Sequence, residues 1–572
     1  MVDSEFSLFT GTRSALLPSR ILYEDAGCLV ADKPVRMPVE ASDRLQRDDL
    51  VSHLASLLLD RDGETARSLQ LRAVQHLDRD TSGVVLIAKN AASLKQLSVS
   101  GGPPALRVAF VAAVTGKIPQ GKTTSLRGFA AKHADGRVIV STTGRGNAAA
   151  LTGACTAIER AAGRAIVEIE TDHGGSRHVR ALLAAYGLKV AGDELHGGAP
   201  CHRLMLHAAR LSLRQPGQGA RITASSPLPW DFTPWLQDRL ACAKLDGTTL
   251  RACVREAALA RADLWRSADT TAFRLFHGEG EGVPGLDVDR FGDHAIVWLD
   301  AELGARLRQE AAQAAWALGP RSVHVKVRPK TASRLDDAAR ELLAPVAPVL
   351  GEAPFGEFAV LEHGMTFAVR LDDGLATGLF LDQRDTRGWV REHAKGLRVL
   401  NLFAYTCAFT LAAAAGGAAS TVSVDISARA LETGLRNLQS NGWGGSAHEF
   451  VRDDVQRWLK SAGAKGKIFD LIVLDPPSFG TSKHGRFSTE ADYANVAQAC
   501  ISLVADAGGI VIACTNNRGV PTARLRGWLK MACERAGRSI AGMRDCPSQL
   551  DFPAPSIGEP HLKVVRLAIA PR

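Results

Sequence analysis

Short Val, Ile and Leu runs broken by Gly and Asp fill the first 240 residues. Ile21–Leu22–Tyr23, Val84–Val85–Leu86–Ile87 and Val108–Ala113 read as strands of a mixed α+β domain. The run Pro227–Leu228–Pro229–Trp230–Asp231–Phe232–Thr233–Pro234 breaks regular structure and reads as that domain's end. A second block, 241–370, opens with Leu250–Arg266, where apolar and alanine positions recur at helical spacing, and continues with a β-like segment, Phe273–Leu299. It is expected to be a small α+β domain. From 371 to 572 the periods alternate. Arg398–Leu402, Val422–Asp425, Leu471–Leu474 and Gly509–Ala513 read as strands, with helices such as Ala428–Gln439 between them. Such alternation implies a parallel sheet with helices on both faces, a Rossmann-like domain. The expected fold class is therefore multidomain α/β.

Composition narrows the function classes. Of 572 residues, 46% are hydrophobic and 23% charged, which is ordinary for a globular chain and excludes disorder as its main state. The 69 basic against 60 acidic residues give +9, a mild excess that favours a polyanionic partner. Ten cysteines occur with no C-x-x-C pair, so neither a zinc ribbon nor a disulfide framework is expected, and no metal. The start, MVDSEFSLFT, lacks a basic segment followed by an apolar run, and no run of about 18 apolar residues exists. No membrane association and a cytoplasmic location are expected.

The segment Gln75–His76–Leu77–Asp78–Arg79–Asp80–Thr81–Ser82–Gly83 precedes an apolar strand. By itself it reads as a turn aspartate with local donors. It resembles the R-L-D-x-x-T-S-G motif of RluA-type pseudouridine synthases, and further segments are similar to that family in the same order. These are Ile21–Asp25, Ala31–Asp32–Lys33–Pro34, Gly174–Gly175–Ser176–Arg177–His178–Val179–Arg180, Gly192–Asp193, Arg203 and Leu206–His207–Ala208. The resemblance implies that Asp78 is the nucleophile on a uridine in RNA, attacking sugar or base, and that Arg180 holds its carboxylate ionised in a charge-assisted, bidentate-type pair. No cofactor is implied for this step. The uridine has to leave its stack. Three positions depart from the family. His76 stands where it has arginine, Phe110 where it has an active-site tyrosine, and Val108 where it has lysine. Phe110 keeps a ring for the base and loses the hydroxyl, and both His76 and Phe110 are expected to meet the substrate. Residues 101–145 carry seven Lys or Arg (107, 117, 122, 127, 132, 137 and 145) and one acid, Asp135. These form either a solvated face or a phosphate-contact patch.

In the third block, strand Arg398–Leu402 runs into Asn401–Leu402–Phe403–Ala404–Tyr405–Thr406–Cys407, and Asp425 ends the next strand. Strand, turn, helix and then an acid is how an adenosine ribose is held. G-x-G-x-x-G is absent, which argues against a dinucleotide. Asp454 follows a further strand-like run, and Asp475–Pro476–Pro477–Ser478–Phe479 follows another. Two prolines make that loop rigid, and an aromatic can stack on a flipped base. The block resembles class I S-adenosylmethionine-dependent methyltransferases, in particular the large-subunit rRNA family with cytosine-C5 and guanine-N7 enzymes. Glu362–His363–Gly364, Thr377–Arg384 and Gly285–Gly292 add to the likeness. It implies S-adenosylmethionine as cofactor, held by Asn401, Phe403, Tyr405, Asp425, Asp454 and Gln383. Asp475 would be catalytic, with Pro476, Pro477, Phe479 and Asn516 around the base. Cys407 replaces a family glycine.

Carbon-5 of cytosine needs a cysteine to add to the ring first, whereas guanine N7 has its own lone pair. Where the cytosine enzymes carry that cysteine, this chain reads Cys514–Thr515–Asn516–Asn517–Arg518–Gly519. Asn516 falls at the catalytic position and Cys514 two residues earlier. The segment resembles the guanine-N7 branch, while Asp551–Phe552–Pro553 and His561–Leu562–Lys563 look more like the cytosine branch. The expectation is a bifunctional enzyme of 23S rRNA, methylating guanine N7 and making a pseudouridine. The alternative is a cytosine-C5 methyltransferase whose first domain only binds RNA.

Overall fold

The computed structural model describes residues 20–40, 49–98, 106–116, 123–133, 138–143, 149–172, 175–214, 221–238, 245–261, 264–265, 267–301, 303, 305–329, 341–354, 356–482, 485–555 and 559–572. The chain divides into two compact units. One comprises the described residues of 1–267, 275–288 and 299–320, the other those of 268–274, 289–298 and 321–572. The central block 241–370 is thus shared between them.

The first unit is built on a large sheet. Its main path uses β1 (Ile21–Glu24), β2 (Cys28–Lys33), β3 (Ser82–Ala88), β4 (Leu106–Gly116), β5 (Thr124–Lys132), β6 (Val138–Ser141), β7 (Ala149–Ala161), β8 (Arg164–Thr171) and β9 (Leu206–Arg214), in the order β1-β2-β3-β9-β4-β8-β7-β5-β6. β2 and β3 are buried at every position, so Cys28–Ala31 and Val84–Ala88 read as continuous apolar runs rather than alternating ones, while β2 ends in buried Asp32 and Lys33. β3 runs antiparallel to β2, with Val30 opposite Leu86, and parallel to β9, with Ser82 opposite His207. Gly83 is required at that crossing. Its φ is +111°, and a Cβ there would lie 2.1 Å from the Ala208 carbonyl oxygen. Helix α1 (Ser176–Ala185) buries Val179, Leu182 and Leu183.

The proline-rich run is not wholly irregular. Phe232–Leu236 is a short helix whose Phe232, Trp235 and Leu236 pack against Val111, Ala113 and Ile166. The expected helix over 250–266 spans Gly247–Leu259. It starts earlier because Asp246 caps it, accepting the Thr249 N–H at 2.8 Å.

Strands Ala272–His277, Leu286–Phe291, His294–Asp300, Ser322–Arg328 and Leu350–Gly351 form a five-stranded sheet in that order. A hairpin, Phe358–Glu362 with Met365–Val369, turns on His363 (φ 50°) and Gly364 (φ 73°). Positive φ at both central residues is what a two-residue type I′ turn demands.

The second unit carries β10 (Arg398–Leu402), β11 (Ser420–Asp425), β12 (His448–Arg452), β13 (Leu471–Leu474), β14 (Gly509–Thr515), β15 (Ile540–Asp545) and β16 (Lys563–Ile569), ordered β12-β11-β10-β13-β14-β16-β15. The first five are parallel, and β16 is antiparallel to both β14 and β15. Helices α2 (Arg384–His393), α3 (Ala408–Ala415), α4 (Ala428–Ser440), α5 (Val455–Ala464), α6 (Thr489–Ser502) and α7 (Thr522–Arg535) complete it. Leu400, Ile472 and Val511 pack with Trp458, Tyr493 and Leu529, whereas Val399, Val473 and Ile512 pack with Val390, Phe409 and Leu438. Strand neighbours therefore serve opposite faces, as a doubly wound sheet requires. β10 lies between β11 and β13, so the strand order reverses there, and open α/β sheets bind ligands outside the carboxyl ends of strands at such a point.

Candidate functional sites in two units

In the first unit the loop before β3 presents Asp78 beside the first turns of α1. Its main-chain N–H donates to Ser176 Oγ at 2.8 Å. Carboxylate Oδ2 accepts from Arg180 Nη1 at 3.0 Å, and Oδ1 accepts from Arg177 Nε at 2.9 Å. Burial pushes the Asp78 carboxyl up, but the Arg177 hydrogen bond and the Arg180 charge outweigh it and hold it below the usual carboxylate range. Arg180 gives Asp78 a single bond. Its bidentate partner is Asp193, at 2.8 and 2.5 Å, whose side chain is fully buried and also meets His196 Nδ1 at 3.0 Å. Arg180 is thereby locked before it reaches Asp78.

Beneath the loop, buried Lys33 donates to the carbonyls of Pro34, Met37 and Arg79 at 2.9, 2.7 and 3.0 Å. This ties the K-P element to the Asp78 loop, and burial pushes the amine down to about 7. His76 is exposed next to Asp78. Phe110 is fully buried in the sheet core, opposite Ala208 and Ile169, so its ring presents no accessible face to a base. Arg177 joins the site without a motif of its own; its spacing three residues before Arg180 places both on one helix face. Gly174, and the patch positions 117, 122, 135, 137 and 145, lie outside the described residues.

In the second unit the expected acids gather at one end of the parallel strands. The turn after β10 alternates through left-handed backbone at Phe403 (φ 55°), Tyr405 (48°) and Cys407 (58°). Asp425 holds it, Oδ2 accepting the Tyr405 N–H and Oδ1 the Ser427 N–H, both at 2.8 Å. The Cys407 conformation is one that glycine adopts freely. Its thiol is accommodated because Gly434 faces it; a Cβ at 434 would sit 2.6 Å from the sulfur. Asn401 is turned inward, donating to Thr410 Oγ1 at 2.9 Å, so it shapes the turn from below. Asp454 caps α5, accepting the Arg457 N–H at 3.2 Å. Exposed Ile426 (51%) and Phe380 (58%) flank the turn, Phe380 lying 5.1 Å from the Tyr405 ring. Acids at strand ends, rimmed by apolar side chains at the switch point, are the arrangement that suits an adenosine group. These residues fit S-adenosylmethionine.

Across the switch point, Asp475 ends β13. Gln383 Nε2 donates to its Oδ2 at 2.9 Å, so Gln383 lies against this carboxylate. Burial, then the nearby Asp382 charge, pushes Asp475 up to about 7. Pro476 is buried and Pro477 exposed. Thr489, at the start of α6, fixes this loop by donating to the Pro477 carbonyl at 3.1 Å. The side chain of Phe479 lies outside the described residues. Asn516, exposed just past β14, accepts from Ser478 Oγ at 3.2 Å. Cys514 is fully buried, its Sγ 4.0 Å from Gln383 Oε1, and burial followed by the Asp475 charge raises its thiol well above the usual range.

Residues 273–527 match the S-adenosylmethionine-dependent methyltransferase family, and residues 27–185 the RNA pseudouridylate synthase family. Protein YwbD of Bacillus subtilis (strain 168), provisionally named a ribosomal RNA large subunit methyltransferase, is 33% identical over 323 residues, 56% of this chain and 79% of its own. The chain belongs to the S-adenosylmethionine-dependent methyltransferase family. Ribosomal RNA large subunit methyltransferase I of Serratia proteamaculans (strain 568) is 33% identical over 284 residues of this methyltransferase, 49% of it and 70% of the relative. Among solved structures, SMU.776, provisionally named a methyltransferase and complexed with SAH, is 28% identical with a TM-score of 0.50, covering 57% of this chain and 82% of that one. The methyltransferase thus carries, ahead of its donor-binding unit, an RNA pseudouridylate synthase domain.

Proposed function

We propose that this methyltransferase modifies large-subunit rRNA twice, placing a methyl group on guanine N7 with its second unit and isomerising a uridine with its first. The observation that carries the choice of base is the pair Cys514 and Asn516. A cysteine that adds to cytosine needs an open approach and a thiolate. Cys514 has neither, being fully buried with its thiol pushed well up. Asn516 is exposed and tied to Ser478 of the rigid loop, where an amide can offer hydrogen bonds to a base edge.

When bound, S-adenosylmethionine supplies an electrophilic methyl group. The turn 403–407 and Asp425 orient the donor, and the Asp475–Ser478 loop and Asn516 orient the base. Attack by N7 releases no proton, so Asp475 acts as a hydrogen-bonding partner rather than a base. In the first unit Arg180, anchored by Asp193, keeps Asp78 ionised toward the uridine.

A second reading, cytosine C5, is favoured by Asp551–Phe552–Pro553 and His561–Leu562–Lys563, which look like the cytosine branch. The similarity to proteins named large subunit methyltransferase I counts on the same side. The test is nucleoside mass spectrometry of unmodified 23S transcript and of assembly-intermediate rRNA treated with the full chain and donor. 7-Methylguanosine supports the first reading, and 5-methylcytidine replaces it with the second.

A further inference from the structure

The two oxygens of Asp78 are held in unlike ways. Oδ2 meets Arg180, whose side chain is 11% exposed and clamped by a fully buried Asp193. Oδ1 meets Arg177, whose side chain is 71% exposed and whose one acceptor among the described residues is Asp78. The Asp78 side chain is itself only 15% exposed, so the Arg177 guanidinium stands on the solvent side of the nucleophile. An exposed ion pair of this kind is weakly held, whereas the Arg180 pair is fixed on two sides. A nucleotide approaching Asp78 from the Arg177 side meets an exposed guanidinium, and it arrives with phosphodiesters, acceptors that arginine binds readily in a bidentate manner.

We propose that Arg177 is a gating residue, capping Asp78 Oδ1 in the free protein and passing to a phosphate oxygen of the incoming RNA strand, which frees Oδ1 for the uridine while Arg180 keeps the carboxylate in place. The inference rests on the reading of Asp78 as the nucleophile. Arg177 leaves Asp78 as it binds the RNA phosphate, so RNA arrival and exposure of the nucleophile are one event.

The experiment compares wild type, Arg177→Gln, Arg177→Lys and Asp78→Ala, as full chains without methyl donor. Pseudouridine formation and binding are measured on unmodified 23S transcript across a salt series. For Arg177→Gln, KM and the RNA dissociation constant should rise about five-fold. Its kcat should stay within about two-fold, and the slope of log affinity against log salt should shrink by about 0.7, one single-strand phosphate contact. Arg177→Lys should restore the slope. A kcat loss of tenfold or more with an unchanged salt slope would overturn the proposal and leave Arg177 as a holder of Asp78. If wild type and Asp78→Ala form equally little pseudouridine, the nucleophile reading fails. The binding slope then decides the phosphate contact separately, and an unchanged slope overturns that as well.

Discussion

Replacing Asp475 by Asn should stabilise the second unit in a pH-dependent way while disabling methyl transfer. The carboxyl is pushed from an ordinary 3.8 up to about 7 by burial and by Asp382. Each tenfold in proton affinity is about 1.4 kcal/mol, so holding the ionised form costs about 4 kcal/mol. The sign follows from linkage. Below pH 3.8 the group is protonated in folded and unfolded chains alike and costs nothing. Between pH 3.8 and 7 the unfolded chain gives up its proton first, and stability is lost progressively. Above 7 the full cost is present. Asn keeps an oxygen to accept the Gln383 N–H and carries no charge. Its advantage should therefore be near zero at pH 4 and reach about 4 kcal/mol by pH 8, a rise of roughly 10 °C in melting temperature for a unit of this size. Calorimetric scans from pH 4.5 to 8 without methyl donor read it directly. An advantage that does not change with pH, or a variant less stable throughout, would refute the claim that the fold holds Asp475 against ionisation. Methyl transfer by the same variant should fall about a hundredfold.

Cys514→Ala should retain methyl transfer within a few-fold, at some cost in stability from the small cavity; abolished transfer to cytosine would reinstate a covalent role. Asp193→Asn removes the anchor of Arg180 and breaks a buried pair, a loss of about 3–5 kcal/mol where such pairs are severed. Pseudouridine formation should fall about a hundredfold or more with methylation unchanged, measured side by side on one RNA. Cys407→Gly should leave melting within a few degrees, since relief of left-handed backbone, about 1 kcal/mol, offsets the lost buried thiol. Cys407→Val, branched where φ is +58°, should lower it clearly.

Much of the architecture was legible because burial on both sheet faces writes itself as unbroken Val/Ile/Leu runs. The strands at 398–402, 471–474 and 509–513 appear close to where the runs predicted them, and with them the end of the sheet where the acids gather. The resemblance pairs Arg180 with Asp78, and the structure joins them at 3.0 Å. What the sequence hid was partner choice. Arg180 locks onto Asp193, only 13 residues away, and gives Asp78 one bond, while Arg177 takes the other oxygen; the two contacts to Asp78 are made across some hundred residues of chain, which no local pattern reports. The motifs place Gln383 and Asn401 among the donor ligands, yet Asp475 and Thr410 need hydrogen-bond partners inside the fold, and the two amides meet them. Phe110 reads as a site ring by motif and lies in the core by packing. The extent of Gly247–Leu259 escaped because its cap, Asp246, lies upstream of the apolar period.

The most direct test of two working sites in one chain is position-mapped nucleoside mass spectrometry of rRNA from a strain lacking the protein, complemented with wild type, Asp78→Ala or Asp475→Asn. The account predicts that one methylated base and one pseudouridine disappear together and that wild type restores both. Asp78→Ala should return only the methyl mark and Asp475→Asn only the pseudouridine. Unchanged pseudouridines in the deletion strain, or loss of both marks with either variant, would contradict it.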